Sequence, residues 1–189
     1  MPLTALDPIT ALIVVDLQKG IADQKFLHPL GEIIDRTRAL LDIFRAKNLP
    51  VVLVNVAGRP SGRTELRPRS SQMFPAGWTD LLPQLDQQPG DIVITKRSWG
   101  SFATTDLERQ LSERGATQVV VTGVATSVGV EATARQAYEQ GFNVTLVLDA
   151  MTDLREETHA YSIQNVFPRL GETGFTQEII SLLESPSED

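Results

Sequence analysis

The chain has 189 residues, a net charge of −7 and no cysteine. This length fits one domain over residues 1–189, and 41% hydrophobic against 22% charged residues is typical of a globular protein. The acidic balance disfavours nucleic acids and anionic membranes as partners, and the lack of cysteine excludes disulfides, thiolate nucleophiles and thiolate metal ligands. Because no secretory signal or long apolar run is evident, we expect a cytoplasmic protein.

Short apolar runs predict the strands of a parallel sheet. They are rich in Val, Ile and Leu without polar alternation, which is the pattern of strands buried on both faces. The predicted strands are Ala11–Val15, Val51–Val56, Asp91–Thr95, Val119–Gly123 and Val144–Leu148, with a weaker sixth near Arg169–Thr173.

Amphipathic stretches between these runs predict helices. The predicted helices are Glu32–Lys47, Asp106–Arg114, Val130–Gln140, Glu156–Val166 and Thr176–Leu183, and Gly115 and Gly141 end two of them. The alternation of strands and helices predicts an α/β fold, a three-layer α/β/α sandwich with a mostly parallel six-stranded sheet. The connection from Ala57 to Gly90 interrupts this alternation, and loops of that length often bind ligands or form interfaces.

Two charged residues follow predicted strands at the edge where parallel sheets bind ligands. Asp16 comes directly after the first strand and Lys96 after the third. A carboxylate at the end of a buried strand needs a partner, and Lys96 is a candidate for it. Asp16 is therefore a candidate general acid or base, with a turn or cap residue as the alternative; the alternative for Lys96 is a solvated side chain.

A third segment, GVATSVGVEATAR from Gly123 to Arg135, follows the fourth strand. It places a helix N-terminus at the same edge, where free backbone N–H groups attract negative charge. Thr126 and Ser127 are natural N-cap residues there. Ser127 is a poor candidate for a nucleophile, because Ala125 stands where the GxSxG pattern requires glycine.

Together these segments resemble the isochorismatase-like, or cysteine hydrolase, superfamily over essentially the whole chain. That family has Asp after strand one, Lys after strand three and G-V-x-T-[NS]-x-C-V-x-x-T-A-R after strand four; here the last motif reads G-V-A-T-S-V-G-V-E-A-T-A-R. The resemblance implies that Asp16 and Lys96 are two members of a catalytic triad and that Gly129 occupies the position of the family cysteine. It also implies a non-proline cis peptide between Val124 and Ala125.

The residue at position 129 distinguishes two reactions that occur in the isochorismatase-like superfamily. Amidase members form a thioester on the cysteine, and Gly129 closes that route. True isochorismatases also carry glycine there and hydrolyse a vinyl ether, which needs a positioned acid and water. The resemblance thus implies a hydrolase of a small anionic metabolite, with Asp16 as the acid, Lys96 orienting it and Gly129 leaving room for substrate. The alternative is a catalytically inactive member that binds or regulates through a small molecule.

Further residues are predicted to contact the substrate. They are Gln18, Trp99, Phe102, Val124, Ala125, Ser127 and Arg59. Simple core packing is the alternative for Trp99 and Phe102. An arginine could bind a substrate carboxylate, but solvated charges or salt bridges to a neighbouring subunit are the alternative for the loop arginines Arg59, Arg63, Arg67 and Arg69.

Neither a metal nor another cofactor is predicted. His28 and His159 are far apart in sequence, and the Asp and two His of the nicotinamidase metal site are absent from Val54–Gly58. No GxGxxG follows the first strand, which disfavours a dinucleotide-binding protein. Since members of the isochorismatase-like superfamily commonly form oligomers, we expect a homo-oligomer that binds a small-molecule substrate.

Overall fold

The computed structural model describes residues 3–65 and 74–185. The strands in this part are β1 (Thr10–Val15), β2 (Val51–Val56), β3 (Ile92–Lys96), β4 (Gln118–Val124), β5 (Asn143–Thr152) and β6 (Glu172–Gly174). They form one parallel sheet in the order β3-β2-β1-β4-β5-β6. The strand order reverses between β1 and β4, so their carboxyl ends flank the crevice where such sheets bind ligands.

Helices cover both faces of the sheet. They are α1 (Lys19–Ala22), α2 (Leu30–Ala46), α3 (Leu107–Ser112), α4 (Glu131–Glu139), α5 (Glu156–Tyr161) and α6 (Thr176–Glu184). One apolar cluster joins the sheet to α3 and α4, and a second joins its other face to α2 and α6. The predicted three-layer α/β/α sandwich is confirmed. No helix in the described ranges is long and apolar enough to cross a membrane.

The edge strand β3 departs from the predicted pattern. It ends at Lys96 and alternates between buried and exposed residues, with Val93 41% exposed between the buried Ile92 and Ile94. The prediction of burial on both faces is therefore wrong for this strand. An edge strand leaves part of one face open to solvent, whereas β1 and β4 at the centre are buried throughout.

The strands and helices near the carboxyl edge also differ from their predicted bounds. β5 continues past Leu148 to Thr152 because a bulge shifts its register: Val121 pairs with Leu146, but Gly123 pairs with Met151. The predicted helix Val130–Gln140 is α4, and a π-helical turn over Thr126–Val130 precedes it. β6 begins only after a short helical turn over Phe167–Arg169, and α1 was not predicted.

The described part of the long connection folds back over the segment that follows β1. Leu81 forms an antiparallel bridge with Gln18, and the Lys19 ammonium pairs with Asp80 at 2.9 Å. Arg59 and Arg63 are exposed. Arg67 and Arg69 lie outside the described residues, so the role predicted for the loop arginines stays a prediction.

Candidate active site

Asp16 and Lys96 meet at the carboxyl edge of the sheet. Asp16 is the first residue after β1 and has a φ of 55°, a left-handed conformation that aspartate tolerates better than most residues. Lys96 ends β3, two strands away, and its Nζ lies 3.0 Å from Oδ2 of Asp16. The lysine side chain is fully buried and the carboxyl is 9% exposed. The structure thus brings together the two charged residues that follow separate strands in the sequence.

Burial dominates the electrostatics of this pair. Burial raises the pKa of Asp16 to about 6, and the attraction and hydrogen bond of Lys96 oppose the rise. Burial likewise lowers the pKa of Lys96, and Asp16 opposes that change. The carboxyl can therefore exist in both protonation states within one unit of neutral pH, as a general acid or base requires.

The two oxygens of the Asp16 carboxyl have different surroundings. Oδ2 is paired with Lys96, whose Nζ also donates to the carbonyl of Trp99 at 2.5 Å. Oδ1 is buried and has no hydrogen-bond partner among the residues that the structure describes. One oxygen is therefore held by the lysine, while the other has no hydrogen-bond partner in the described part of the chain.

Gly129 faces the carboxyl from the turn that follows β4. The peptide between Val124 and Ala125 is cis, and the π-helical turn begins at the next residue. A Cβ at Gly129 would lie 3.0 Å from Oδ2 of Asp16 and 3.1 Å from the carbonyl of Val124. Any side chain there would press on the carboxyl, so only glycine allows the turn to pack this closely against Asp16.

The carboxylate of Asp153 lies at the start of this turn. Asp153, directly after β5, accepts a hydrogen bond from the backbone N–H of Ser127 at 2.6 Å and another from that of Leu154 at 2.7 Å. No side-chain cap is made by Ala125, the residue before the turn, and Thr126 lies inside the turn. The prediction that Thr126 or Ser127 caps the helix is therefore wrong. The free N–H groups do attract a negative charge, and Asp153 provides it.

The remaining predicted contact residues lie in several environments. Gln18 is buried, accepts from the N–H of Val56 at 2.7 Å and donates to two backbone carbonyls. Phe102 is buried in the core, with its ring centroid 5.9 Å from that of Phe142. This agrees with the alternative of simple core packing. Trp99, in contrast, is 64% exposed. A substrate contact for each of these residues stays a prediction.

Two features of the site were not found from the sequence. One is Asp153. Like Asp16, it directly follows a buried strand, but the predicted strand Val144–Leu148 ends too early to show this. The other is the contact between His28 and His159, whose ring centroids are 5.1 Å apart. Sequence separation gave no sign of this pair. Within residues 3–65 and 74–185, no group of three or more His, Asp or Glu residues is placed to hold a metal ion.

Comparisons with known proteins show the family of the chain. The isochorismatase domain profile matches residues 10–178. The chain belongs to the isochorismatase family. The family protein YwoC of Bacillus subtilis is 36% identical over 178 residues, covering 90% of this chain and 92% of YwoC. YecD of Escherichia coli, of the same family, is 37% identical over 180 residues, covering 92% and 96% of the two chains.

A solved structure shows the same fold within this family. The isochorismatase family protein from Burkholderia thailandensis is 36% identical and superposes with a TM-score of 0.90, covering 96% of this chain and 98% of its own. The family is one of hydrolases, which supports a hydrolase function for the chain.

Proposed function

We propose that this isochorismatase-family protein hydrolyses a small anionic metabolite without forming a covalent thioester, with Asp16 as the general acid. Vinyl ethers are the substrate class that suits this site best. The chain contains no cysteine, so a thiol cannot serve as the nucleophile. Vinyl-ether hydrolysis requires no nucleophilic side chain, because protonation of the substrate makes it reactive toward water.

The surroundings of Asp16 support its role as the general acid. Its carboxyl is almost fully buried beside Lys96, its pKa is raised to about 6 by that burial, and its Oδ1 is unpaired among the described residues. A carboxylic acid that keeps its proton near neutral pH can donate it to a carbon atom more readily than a solvated aspartate can. The buried Lys96 holds Oδ2 and balances the negative charge that remains after the proton has left.

The proposed reaction begins with transfer of the Asp16 proton to the enol-ether carbon of the substrate. The resulting oxocarbenium ion is attacked by water, which loses a proton and gives a hemiketal. The hemiketal then breaks its carbon–oxygen bond to release an alcohol and a carbonyl compound. The proton released by water restores the acid form of Asp16. Gly129, in the position that the family motif gives to cysteine, places no side chain between the substrate and the carboxyl.

The test is an assay of isochorismate and related vinyl ethers with the wild type, with Asp16→Asn and with Asp42→Asn as a matched control on the exposed surface of α2. Loss of the acid should lower kcat/KM by about 10²-fold or more, in the range of general acid–base catalysis. Asp42→Asn should leave it unchanged. Equal turnover by the wild type and Asp16→Asn would contradict the role of Asp16.

The pH profile offers an independent check. Because the acid form of Asp16 is the active one, kcat/KM should be constant at low pH and fall above about pH 6, approaching tenfold per pH unit. A rate that rises through this range would instead indicate a general base. If no vinyl ether is hydrolysed, the reaction is excluded; a ligand that raises the melting temperature but is never converted would then support the inactive, ligand-binding alternative.

A further inference from the structure

The two histidines of the chain meet above the carboxyl edge of the sheet. His28 lies in the loop before α2, on one face, and His159 lies in α5, which contacts the turn after β4. Their rings make an edge contact, with centroids 5.1 Å apart and ring planes at 61°. His28 is exposed and His159 is half-buried, so water reaches the pair and protons can exchange with it.

Each ring is hydrogen-bonded to a buried threonine at the edge of the sheet. Nδ1 of His159 lies 2.9 Å from Oγ1 of Thr126, the first residue of the turn that carries Gly129. Nδ1 of His28 lies 3.1 Å from Oγ1 of Thr152, the last residue of β5. The pair therefore links the end of β5 to the start of the turn over Thr126–Val130.

We propose that His159 is a positioning residue for the turn over Thr126–Val130, and that the contact between His28 and His159 makes the position of this turn depend on pH. With neutral rings, the hydrogen bond from His159 holds Thr126, and with it the turn that presents Gly129 to Asp16. With both rings protonated, like charges stand edge to edge and the rings separate. The hydrogen bond to Thr126 is then released and the turn loosens.

The surroundings of His159 favour its neutral form. Burial and the neighbouring His28 lower the pKa of His159, and Asp153 opposes them. Asp16 and Lys96 lie on the other side of the turn, beside Gly129. A protonated His159 can also only donate through Nδ1, so the hydroxyl of Thr126 must accept and direct its own hydrogen elsewhere. Repulsion between the two charged rings weakens the link as the pH falls.

The position of the turn over Thr126–Val130 can be followed without any enzymatic assay. The backbone amide of Gly129 and the two imidazole signals are followed by NMR across the pH range in which histidine titrates. The Asp16→Asn background removes the neighbouring carboxyl, whose own titration would otherwise move the Gly129 signal. Gly115, at the opposite edge of the sheet, serves as a control amide.

The Gly129 amide should move with the same midpoint as the His159 ring, below the ordinary histidine pKa of about 6.5. Substituting His28→Asn should raise that midpoint by removing the like charge, and His159→Asn should abolish the step. The Gly115 amide should not follow it. In the wild-type background, His159→Asn should remove one of two pH-dependent steps at Gly129 and leave the step of Asp16.

A pair of substitutions at His159 separates positioning from simple packing. His159→Asn keeps a hydrogen-bonding atom at the δ position and should preserve the Gly129 signal of the wild type at neutral pH. His159→Leu keeps bulk without the hydrogen bond and should displace the signal and speed exchange of the amides in the turn. A Gly129 amide that stays constant while His159 titrates, or a step that persists in His159→Asn, would overturn the proposal.

Discussion

Asp16 combines a left-handed backbone conformation with an almost fully buried carboxyl. Burying an ionised carboxylate costs several kcal/mol unless a partner compensates, and Lys96 is that partner. The compensation is incomplete, because the pKa of Asp16 remains raised to about 6. A carboxyl that is both tethered and partly protonated near neutral pH is suited to donate a proton.

At the residue scale, Gly129→Ala should destabilise the protein although alanine favours helices. The new Cβ would lie 3.0 Å from both Oδ2 of Asp16 and Cγ1 of Val15, so the buried carboxyl must shift. Overpacking of this kind costs about 1–3 kcal/mol. Urea unfolding measures the change in unfolding free energy.

Gly31→Ala is the matched control for this substitution. Gly31 lies in α2, and a Cβ there has no atom within 4 Å in the described part of the chain. It should therefore stabilise the protein slightly or leave it unchanged. Equal effects of the two substitutions would show that the space beside Asp16 is not restrictive.

Individual residues were predictable where the sequence places them at the end of a strand. Asp16 and Lys96 were selected because each follows an apolar run, and parallel strands bring such ends to one edge. The prediction for Gln18 and Phe102 rests only on their position shortly after Asp16 and Lys96 in the sequence. Their surroundings depend on which way the chain turns after each strand, and this placed Gln18 against backbone groups and Phe102 in the core.

At the scale of secondary structure, the turn over Thr126–Val130 depends on another element for its cap. Asp153, after β5, binds the backbone N–H of Ser127. The bulge in β5 makes this possible, since the register shift brings Thr152 opposite Val124. A local sequence pattern could not indicate a cap that comes from 26 residues further along the chain.

Removing this cap should destabilise the protein. Asp153→Ala leaves the Ser127 N–H without its acceptor and should lower the unfolding free energy by about 1–2 kcal/mol, the usual cost of losing a helix cap. Chemical denaturation measures it. Asp42→Ala, on the exposed side of α2, is the control and should have a smaller effect. Similar losses in both variants would argue against a capping role.

At the scale of the whole molecule, the buried Asp16 couples folding to pH. The folded state keeps this proton up to about pH 6, whereas the ordinary value is 3.8, so the folded state binds more protons between these limits. Raising the pH through this window deprotonates Asp16 in the folded state. It should therefore lower the unfolding free energy by up to about 3 kcal/mol.

Urea unfolding of the wild type and of Asp16→Asn across this range measures the effect. Other titrating groups contribute to both proteins, so the difference between their unfolding free energies isolates Asp16. The wild type should lose stability relative to the variant as the pH rises from about 4 to about 6. A difference that does not change with pH would mean that the pKa of Asp16 is not raised in the folded state.

The sequence by itself determined the α/β class and the parallel sheet, and it indicated Asp16, Lys96 and the turn after β4 as parts of a candidate site. These follow from local patterns, because apolar runs and helical periodicity arise from burial along each element. Only the tertiary structure decided which groups meet: Lys96 with Asp16, Asp153 with Ser127, and His159 with His28. Such contacts depend on strand order, register and bulges, which position residues in space independently of their separation in the chain.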